Sequence, residues 1–311
     1  MMRRYAVRIL GPAMVAGALC FAVILLSPSP KPRLAALAML RRTAGCNFSA
    51  SVAAAQYGKD LESVRDRIAS QSRIARREAG LELVETPKGQ WWVNAGDRSL
   101  TFLLSEQEHA VYGIGSYGVQ PADVVLDCGA NVGVFTRTAL DRGARLVVAI
   151  EIAPSTIECL RRNFAPEIAA GRVVLCPKGV WNRTDTLEMS VPDPGNEGSN
   201  SVVLGREAKH KIRVPVTTID ALVSEFHLGR VNFIKMDIEG AEAEALAGAA
   251  ETIRRFRPRM AISSEHLPGD AREIPRVVRG LLAGYSMQAA DCTDLFSRVQ
   301  PGVLWFRYPS R

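Results

Sequence analysis

The sequence predicts a doubly wound α/β domain, in which helices cover both faces of a largely parallel sheet. Short apolar runs alternate with helical segments from Asp123 onward, a pattern typical of this architecture. The apolar run Val124–Leu126 leads into an acid and a glycine-rich turn, which indicates the first strand of a nucleotide-binding βα unit. Acids follow four of the predicted strands, at the edge where such sheets bind ligands. They are Asp127, Glu151, Asp237 and Glu265.

The turn after the first strand reads Asp127-Cys128-Gly129-Ala130-Asn131-Val132-Gly133. Gly129 would let the backbone turn without a Cβ in the way, and Gly133 would let the next helix pack closely on the strand. A second apolar run, Leu146–Ile150, ends at Glu151, 22 residues after Gly129. An acid at the end of the second strand is placed to accept hydrogen bonds from ribose hydroxyls. The spacing therefore predicts a nucleotide-cofactor site.

The pattern D-x-G-x-x-x-G differs from the dinucleotide fingerprint G-x-G-x-x-G, because Asn131 stands where the middle glycine would be. A carboxylate at Asp127 would repel a pyrophosphate, but it suits a ligand that carries an ammonium and a sulfonium group. S-adenosylmethionine (SAM) is such a ligand. The alternative is a turn that merely needs glycine, and it does not explain why Asp127 and Glu151 follow adjacent strands. We therefore expect SAM as the cofactor.

Positive charge is confined to the N-terminal segment. Residues 1–45 contain seven basic residues and no acidic residue, whereas the remaining 266 residues contain 32 of each. The net charge of +7 therefore belongs to this segment, and the rest of the chain offers no basic face to a nucleic acid. We expect no nucleic-acid partner.

Residues 9–26 form an uninterrupted run of 18 uncharged, mostly apolar residues. A helix of that length spans roughly 27 Å at ~1.5 Å per residue, close to the hydrocarbon thickness of a bilayer. A cleaved signal peptide is the alternative, but Leu26-Ser27-Pro28-Ser29-Pro30 offers no small-x-small cleavage site close behind the run. The sequence therefore predicts a protein anchored to a membrane by one N-terminal helix. The side of the membrane stays open, and the cytoplasm is one option.

The spacing of the cysteines matches neither a zinc site nor a disulfide framework. They are Cys20, Cys46, Cys128, Cys159, Cys176 and Cys292. We therefore expect buried free thiols, which favours a reducing compartment. No residue is assigned to a metal ion, and metal dependence stays open.

Three regions are predicted along the chain. Residues 1–45 hold the basic segment, the apolar run and a proline-rich linker; residues 46–120 form a helix and hairpin extension; residues 121–311 form the α/β domain. The elements predicted in the extension are a helix over Lys59–Gly80, a hairpin over Leu81–Val93, a strand at Leu100–Leu104 and a helix at Glu106–Tyr112. These elements are placed to cover the cofactor site.

The α/β domain is predicted to alternate between strands and helices. Its strands are expected at Val124–Leu126, Leu146–Ile150, Arg172–Leu175, Val231–Met236 and Arg259–Ser263, with extended pairs at Thr186–Val191 and Arg213–Thr217 and at Tyr285–Ala289 and Val303–Phe306. Its helices are expected at Ser155–Phe164, Asp220–Phe226, Glu242–Arg255 and Arg272–Leu282. The last extended pair would close the sheet with antiparallel strands.

Two motifs resemble those of the FkbM family of SAM-dependent methyltransferases. They are Leu126-Asp127-Cys128-Gly129-Ala130-Asn131-Val132-Gly133 and Ile234-Lys235-Met236-Asp237-Ile238-Glu239-Gly240-Ala241-Glu242, with Glu151 between them. The resemblance covers roughly Glu106–His266, and the block I-K-x-D-x-E-G-A-E is unusual outside the family. It implies a class I methyltransferase with a Rossmann-like sheet. It also implies transfer of the methyl group of SAM to hydroxyl oxygens of sugars or polyketide-type molecules.

The resemblance also assigns cofactor contacts. The turn after the first strand matches the segment at the methionine end of SAM, and Glu151 matches the acid that binds the ribose. The predicted cofactor-binding residues are Asp127, Gly129, Ala130, Asn131, Gly133, Glu151, Ile152 and Val180. After the third strand, Lys178-Gly179-Val180-Trp181 replaces the polar or acidic residue that often contacts adenine in the family. Backbone groups and Trp181 are the expected substitutes.

Three residues are predicted to act on the methyl acceptor: Asp237, Glu239 and His266. Asp237 ends a strand beside the cofactor site, where a carboxylate can take a hydroxyl proton or hold a metal. Glu239 follows in the turn. Glu242 would open the next helix, where an acid suits the helix dipole whatever the chemistry, so its role stays open. His266 is either a base with a pKa near the working pH or an exposed loop histidine.

A methyltransferase that acts on a hydroxyl of a sugar, glycan or other small metabolite is the leading hypothesis. A nucleic-acid methyltransferase is disfavoured by the neutral domain and by Asp237-Ile238-Glu239-Gly240, which stands where an N/D-P-P-Y/F segment would hold a base. A nucleotide-dependent oxidoreductase is disfavoured by Asp127 and the missing third glycine. A non-catalytic SAM-binding module would keep the fold without the chemistry, and the acids Asp237 and Glu239 speak against it. The sequence does not predict an oligomeric state.

Overall fold

The computed structural model describes residues 46, 48–191, 200–204, 210–290, 292–295 and 298–309, together with residues 24, 32 and 36. Its α-helices are α1 Phe48–Ser70, α2 Leu100–Glu108, α3 Val134–Asp141, α4 Pro154–Asn163, α5 Ala165–Ala169, α6 Ile219–Glu225, α7 Glu242–Ala247, α8 Ala250–Phe256 and α9 Asp270–Leu281. Its strands are β1 Arg73–Glu78, β2 Leu81–Thr86, β3 Gly89–Asn94, β4 Val124–Cys128, β5 Leu146–Ile150, β6 Val173–Cys176, β7 Gly179–Val180, β8 Asp185–Val191, β9 His210–Thr217, β10 Phe233–Met236, β11 Arg259–Ser263, β12 Ser286–Ala289, β13 Cys292–Leu295, β14 Arg298–Pro301 and β15 Val303–Arg307. A 3₁₀ turn, Gly115–Tyr117, precedes β4.

Seven strands form the main sheet, in the order β12-β15-β11-β10-β4-β5-β6. The five strands from β11 to β6 run parallel, and β15 is antiparallel to both of its neighbours. The chain leaves β4 toward β5 on one side and returns to β10 on the other. The line between β4 and β10 is therefore the topological switch point, where open α/β sheets bind ligands. The predicted α/β fold and its closing antiparallel pair are confirmed.

Two apolar layers cover the sheet, one on each face. Successive residues of β4 face opposite sides, as the strand period of two requires. Val125 packs in one cluster with Phe135 of α3, and Leu126 packs in the other with Leu222 of α6. All four side chains are buried. Since both faces are covered, the strands are held in register and their carboxyl ends meet at one edge.

The N-terminal extension contains α1, a three-stranded antiparallel sheet and α2. The predicted hairpin is confirmed as β2 and β3, with its turn at Pro87-Lys88. The predicted helix over Lys59–Gly80 is wrong in its second half, because the residues after α1 pair with β2 as strand β1. The predicted strand at Leu100–Leu104 is also wrong, because this segment opens helix α2. Its two end leucines, four residues apart, are both buried, as one face of a helix allows.

Beside the main sheet, β7, β9 and β8 form a smaller sheet. The predicted extended pair is confirmed as β8 and β9, which run antiparallel. The predicted helix Glu242–Arg255 is divided into α7 and α8 at Gly248 and Ala249. The antiparallel pair β13 and β14 was not predicted from the sequence.

A disulfide joins Cys46, which precedes α1, to Cys292, the first residue of β13. Their Cα atoms are 6.3 Å apart, although the residues are 246 positions apart in sequence. The prediction of free thiols is therefore wrong for this pair, because folding brings together two cysteines that local spacing does not connect. It is confirmed for the buried Cys128, Cys159 and Cys176. Since disulfides persist in oxidising environments, the inference of a reducing compartment is withdrawn.

The predicted membrane anchor is corrected by the structure. Among the residues described here, no helix combines the length and the apolar composition needed to cross a bilayer. Helix α1 has 23 residues, but its sequence contains charged side chains such as Lys59, Asp60 and Glu62. The segment that carried the prediction, residues 9–26, lies outside the described residues except for Ile24. The membrane-anchored location is therefore not retained.

Candidate active site

The turn after β4 and the end of β10 are in direct contact at the switch point. Gly129 has a φ of +77°, and a Cβ added there would lie 1.9 Å from the carbonyl oxygen of Asp237. The backbone N–H of Asp237 in turn donates to the carbonyl of Cys128 over 3.1 Å. Only glycine fits at this position, because a side chain would overlap the neighbouring strand end. The contact places the end of β10 against the turn that follows β4.

A cavity of about 490 Å³ opens at this point, within the range of small-molecule sites. One side of it, here called the turn side, is formed by the ends of β4 and β5 and by β7. Its residues are Gly129, Ala130, Asn131, Glu151, Ile152 and Val180. The other side, here called the acidic side, is formed by α2, the segment after it, and the ends of β10 and β11. Its residues are Glu106, Tyr112, Asp237, Glu239, Glu265 and His266.

Glu151 is held on the turn side by backbone N–H groups. Its Oε2 accepts from Asn131 over 2.9 Å, and its Oε1 accepts from Ile152 and Ala153 over 2.7 and 2.9 Å. Burial raises the pKa of Glu151, and the hydrogen bonds from Ala153, Asn131 and Ile152 offset only part of the rise. Because these bonds fix the carboxylate at the strand end, it presents its remaining acceptor positions to the cavity.

Two predicted cofactor-binding residues lie outside the cavity lining. Asp127 is fully buried, and its Oδ2 accepts a hydrogen bond from the Thr136 hydroxyl over 2.6 Å. A Cβ on Gly133, whose φ is +96°, would lie 2.1 Å from the ring of Phe164. Both residues therefore stabilise the conformation of the turn without lining the cavity. Trp181, expected near an adenine, is also absent from the lining.

Lys235 connects the two sides of the cavity. Its Nζ donates to the carbonyl of Gly129 over 2.6 Å and lies 3.4 Å from Oδ1 of Asp127 and 3.8 Å from Oδ2 of Asp237. Burial on its own would lower the pKa of Lys235, but the charges of Asp127 and Asp237 outweigh it and raise the pKa. The residue is therefore a buried cation between two carboxylates. The sequence marks it only as a charge in a strand.

Asp237 is a carboxylate with several partners. Its Oδ2 accepts a hydrogen bond from the hydroxyl of Tyr112 over 2.6 Å, and its Oδ1 lies 3.5 Å from Nε2 of His266. Burial on its own would raise the pKa of Asp237. Lys235, His266 and hydrogen bonds from Tyr112 and Ser263 outweigh it and hold the pKa below the ordinary value of an aspartate. The group is therefore ionised at neutral pH.

His266 lies among carboxylates and is mostly buried, so it is not an exposed loop histidine. Its Nδ1 is 3.0 Å from Oε1 of Glu242, and its Nε2 is 3.6 Å from Oε1 of Glu239. Burial on its own would lower the pKa of His266, but Glu239, Glu242 and Asp237 outweigh it and raise the pKa to about 12. The ring therefore faces a carboxylate at each of its two nitrogens.

The turn after β10 contains a residue in an unusual backbone conformation. Glu239 has a φ of +55°, a left-handed conformation that is rare outside glycine. Its carbonyl accepts a hydrogen bond from the Ser201 hydroxyl over 2.7 Å, which helps to hold the turn. Such strain is often found at functional sites.

Two further acids of the acidic side were not among the predicted site residues. Burial and the neighbouring Asp237 and Glu265 raise the pKa of Glu106 well above its ordinary value. Burial, with Asp237 and Glu239 acting in the same sense, raises the pKa of Glu265 to about 7 although His266 opposes it. Glu265 follows a predicted strand, so its position in the sequence could have indicated a site residue. Glu106 and Tyr112 lie in the extension, and no local pattern indicates that they reach the sheet edge.

The sheet, with a cavity at its switch point, has a Rossmann-like α/β fold, which in many enzymes binds a nucleotide cofactor at this place. Residues 127–287, just over half of the chain, match the family described as the methyltransferase FkbM domain. The chain belongs to this family, as its motifs predict, and it is a methyltransferase. Membership implies SAM as the methyl donor.

Individual relatives are more distant. The chain is 27% identical over 218 residues to 31-O-demethyl-FK506 methyltransferase FkbM of Streptomyces tacrolimicus, a match that covers 60% of this chain and 82% of that protein. It is 25% identical over 142 residues to Methyltransferase 1 of Beauveria bassiana, which covers 40% of this chain and 57% of that protein. The crystal structure of methyltransferase FkbM from Methylobacillus flagellatus is 16% identical, with a TM-score of 0.45, and the match covers 81% of this chain and 59% of that one.

Proposed function

We propose that the protein transfers the methyl group of SAM to a hydroxyl oxygen of a sugar, a glycan or another small metabolite. One observation carries the proposal: the glycine turn after β4 and the carboxylate of Asp237 border the same cavity of about 490 Å³. A cofactor bound to the turn side and an acceptor bound to the acidic side would therefore meet within one site. The relative from Streptomyces tacrolimicus, by its name, methylates 31-O-demethyl-FK506.

The turn side fits the predicted cofactor. Glu151 offers a fixed carboxylate to ribose hydroxyls, and the apolar side chains of Ile152 and Val180 offer a surface for the adenine. Asn131 and Ala130 bring backbone groups to the cavity wall. Asp127 would not touch the cofactor and would act on it only through its charge. Its buried Oδ1 has no hydrogen-bond partner among the described residues and lies 3.4 Å from Nζ of Lys235. Bound SAM supplies an electrophilic methyl group on a positively charged sulfur.

The acidic side suits the oxygen that receives the methyl group. When a hydroxyl forms a new bond to carbon, its proton must leave, and a nearby carboxylate can accept it. Asp237 is ionised and borders the cavity, so we assign it this role. Tyr112 and Lys235 hold its Oδ2 and leave Oδ1 directed toward His266. Glu239 and His266 would bind and orient the acceptor.

The acceptor class follows from the lining. Acid and hydroxyl groups dominate the acidic side, and carboxylates are good acceptors for the hydroxyl groups of a polyhydroxylated molecule. Beyond residue 45 the chain has no excess of basic residues, so a nucleic acid is a poor partner.

A methyl-transfer assay with SAM tests the proposal. The purified protein would be incubated with a panel of sugars, glycans and polyketides in matched pairs, in which a hydroxyl is replaced by hydrogen or by an amine. We expect demethylated cofactor and a methyl ether to form in equal amounts, only with the hydroxyl member of a pair. Methylation of the amine members instead would contradict the assignment to oxygen.

A further inference from the structure

We propose that Asp237, Glu239 and His266 bind a divalent metal ion on the acidic side of the cavity. The proposal deepens the O-methyltransferase function and rests on it for the role of the ion, although the binding itself can be measured alone. The three side chains come from the end of β10, the turn that follows it and the end of β11, and all three line the cavity. They contribute one imidazole nitrogen and two carboxylates.

The distances around Nε2 of His266 are those between metal ligands rather than those of hydrogen bonds. Nε2 lies 3.5 Å from Oδ1 of Asp237 and 3.6 Å from Oε1 of Glu239. Hydrogen bonds from nitrogen to oxygen are usually shorter, roughly 2.7–3.2 Å. Two ligands that each bind one ion at about 2.1–2.2 Å, at a tetrahedral angle, lie roughly 3.4–3.6 Å apart. An ion beside Nε2 would therefore need little movement of His266 relative to either carboxylate.

Glu242 holds the His266 ring in the orientation that a metal ligand needs. Its Oε1 lies 3.0 Å from Nδ1 of the ring and accepts from the backbone N–H of Ile238 over 2.9 Å. A carboxylate bound to one ring nitrogen is the usual partner of a histidine whose other nitrogen binds a metal. Glu242 is therefore a positioning residue.

An unpaired oxygen gives independent support. Glu242 is only 1% exposed, and its Oε2 has no hydrogen-bond partner among the described residues. One oxygen of Glu242 lies within 4.8 Å of an oxygen of Asp237 and of a ring nitrogen of His266, so this buried carboxylate belongs to the cluster. Buried carboxylate oxygens are normally paired, since an unpaired one is costly. A bound cation would compensate the negative charge concentrated here.

The donor set indicates the kind of ion and the kind of acceptor. One imidazole with two carboxylates suits Mn²⁺ or Zn²⁺ better than an all-oxygen ion such as Ca²⁺. Because the cluster faces the cavity, the acceptor can supply the remaining ligands, as in catalytic metal sites. An ion at this point would bind the acceptor hydroxyl and make it more acidic. It would favour acceptors with two adjacent oxygens, such as the vicinal hydroxyls of a sugar.

Titration with Mn²⁺, followed by electron paramagnetic resonance, tests the proposal. The full chain is first treated with a chelator and then compared with four variants. Glu239→Gln and His266→Ala remove proposed ligands, and Glu242→Gln removes the group that holds the ring. Glu265→Gln is the control, since it removes a neighbouring acid of the same cavity that lies outside the cluster.

We expect one Mn²⁺ ion per chain and an affinity that falls about 10–100-fold in the ligand and positioning variants. The Glu265→Gln variant should stay within about threefold of the parent. His266→Ala is the most informative variant, because it removes a proposed ligand and leaves every acidic side chain of the cluster in place. If the ion were merely attracted by the surrounding acids, this change would not weaken binding, whereas loss of a ligand weakens it.

Failure of Mn²⁺ to bind the parent protein would overturn the proposal. Equal losses in Glu265→Gln and Glu239→Gln, or binding that is not weakened in His266→Ala, would do the same. Calorimetry with SAM on the same samples separates the metal site from the proposed function. Normal SAM binding without Mn²⁺ binding rejects the metal site alone, and it also shows that each variant has folded.

Discussion

The two sides of the cavity are built in different ways. The turn side uses backbone groups, small residues and one carboxylate, Glu151, which three backbone N–H groups hold in place. The acidic side uses charged side chains that hold one another: Asp237 with Tyr112 and Lys235, and His266 with Glu242. On the turn side, backbone hydrogen bonds fix the geometry. On the acidic side, the geometry depends on the charge of each side chain in the network.

This difference predicts that the turn side binds the cofactor and the acidic side acts on the acceptor. A site made of backbone groups binds a constant part of the reaction, the cofactor, with a fixed geometry. A network of ionisable side chains can hold an acceptor and move a proton, but it loses function when one member changes. Substitutions on the turn side should therefore change SAM affinity, and substitutions on the acidic side should change turnover.

The largest effect is expected from Asp237→Asn. Asparagine keeps the shape of the side chain and removes the base, so turnover should fall by about 10²–10⁴-fold. Affinity for SAM should stay within about twofold, because the residue is assigned to the acidic side. Single-turnover kinetics with an identified acceptor measures the change. The exposed Asp141→Asn serves as the control, and turnover at the parent rate in Asp237→Asn would remove this residue from the chemistry.

The link between the two sides is tested by Lys235→Met. This change removes a buried cation and leaves Asp127 without its partner, which should lower the free energy of unfolding by about 3–5 kcal/mol. Urea denaturation measures it, with the exposed Lys59→Met as the control. Adding Asp127→Asn to Lys235→Met should restore part of the loss, because the buried charge is then absent. No restoration would show that Lys235 is not compensating Asp127.

The same difference explains what sequence reasoning could find. The turn side is local: Gly129, Asn131 and Glu151 lie within 23 consecutive residues, and their spacing reflects one βα unit followed by a strand. Asp237 and His266 were found because each closely follows an apolar strand. Glu106 and Tyr112 were missed, since they lie in the extension and reach the sheet edge only through tertiary packing. The bond between Tyr112 and Asp237 spans 125 residues and depends on packing alone.

The disulfide, too, depends on packing and could not be predicted from local spacing. Its removal should change the stability of the protein but not its affinity for SAM. Cys46 and Cys292 tie the start of α1 to β13, and residues of both elements, Tyr57 and Thr293, line the cavity. Replacing both cysteines by serine should lower the free energy of unfolding by about 2–5 kcal/mol, because the unfolded chain gains freedom. SAM affinity should change little, since neither cysteine lines the cavity. Thermal and urea unfolding with and without a thiol reductant measure the effect, and equal stability of parent and variant would contradict the structure here.

Calorimetric titration of the full chain with SAM, and separately with NAD, distinguishes a SAM site from a dinucleotide site. The protein should bind SAM and not NAD. Glu151→Ala should weaken SAM binding by about 10–150-fold, or about 1.5–3 kcal/mol, as expected for a lost hydrogen bond to a charged group. Asp237→Asn and the exposed control Glu188→Ala should bind SAM like the parent. Preference for NAD, or equal weakening by Glu151→Ala and Asp237→Asn, would contradict the assignment of cofactor and acceptor to opposite sides of one cavity.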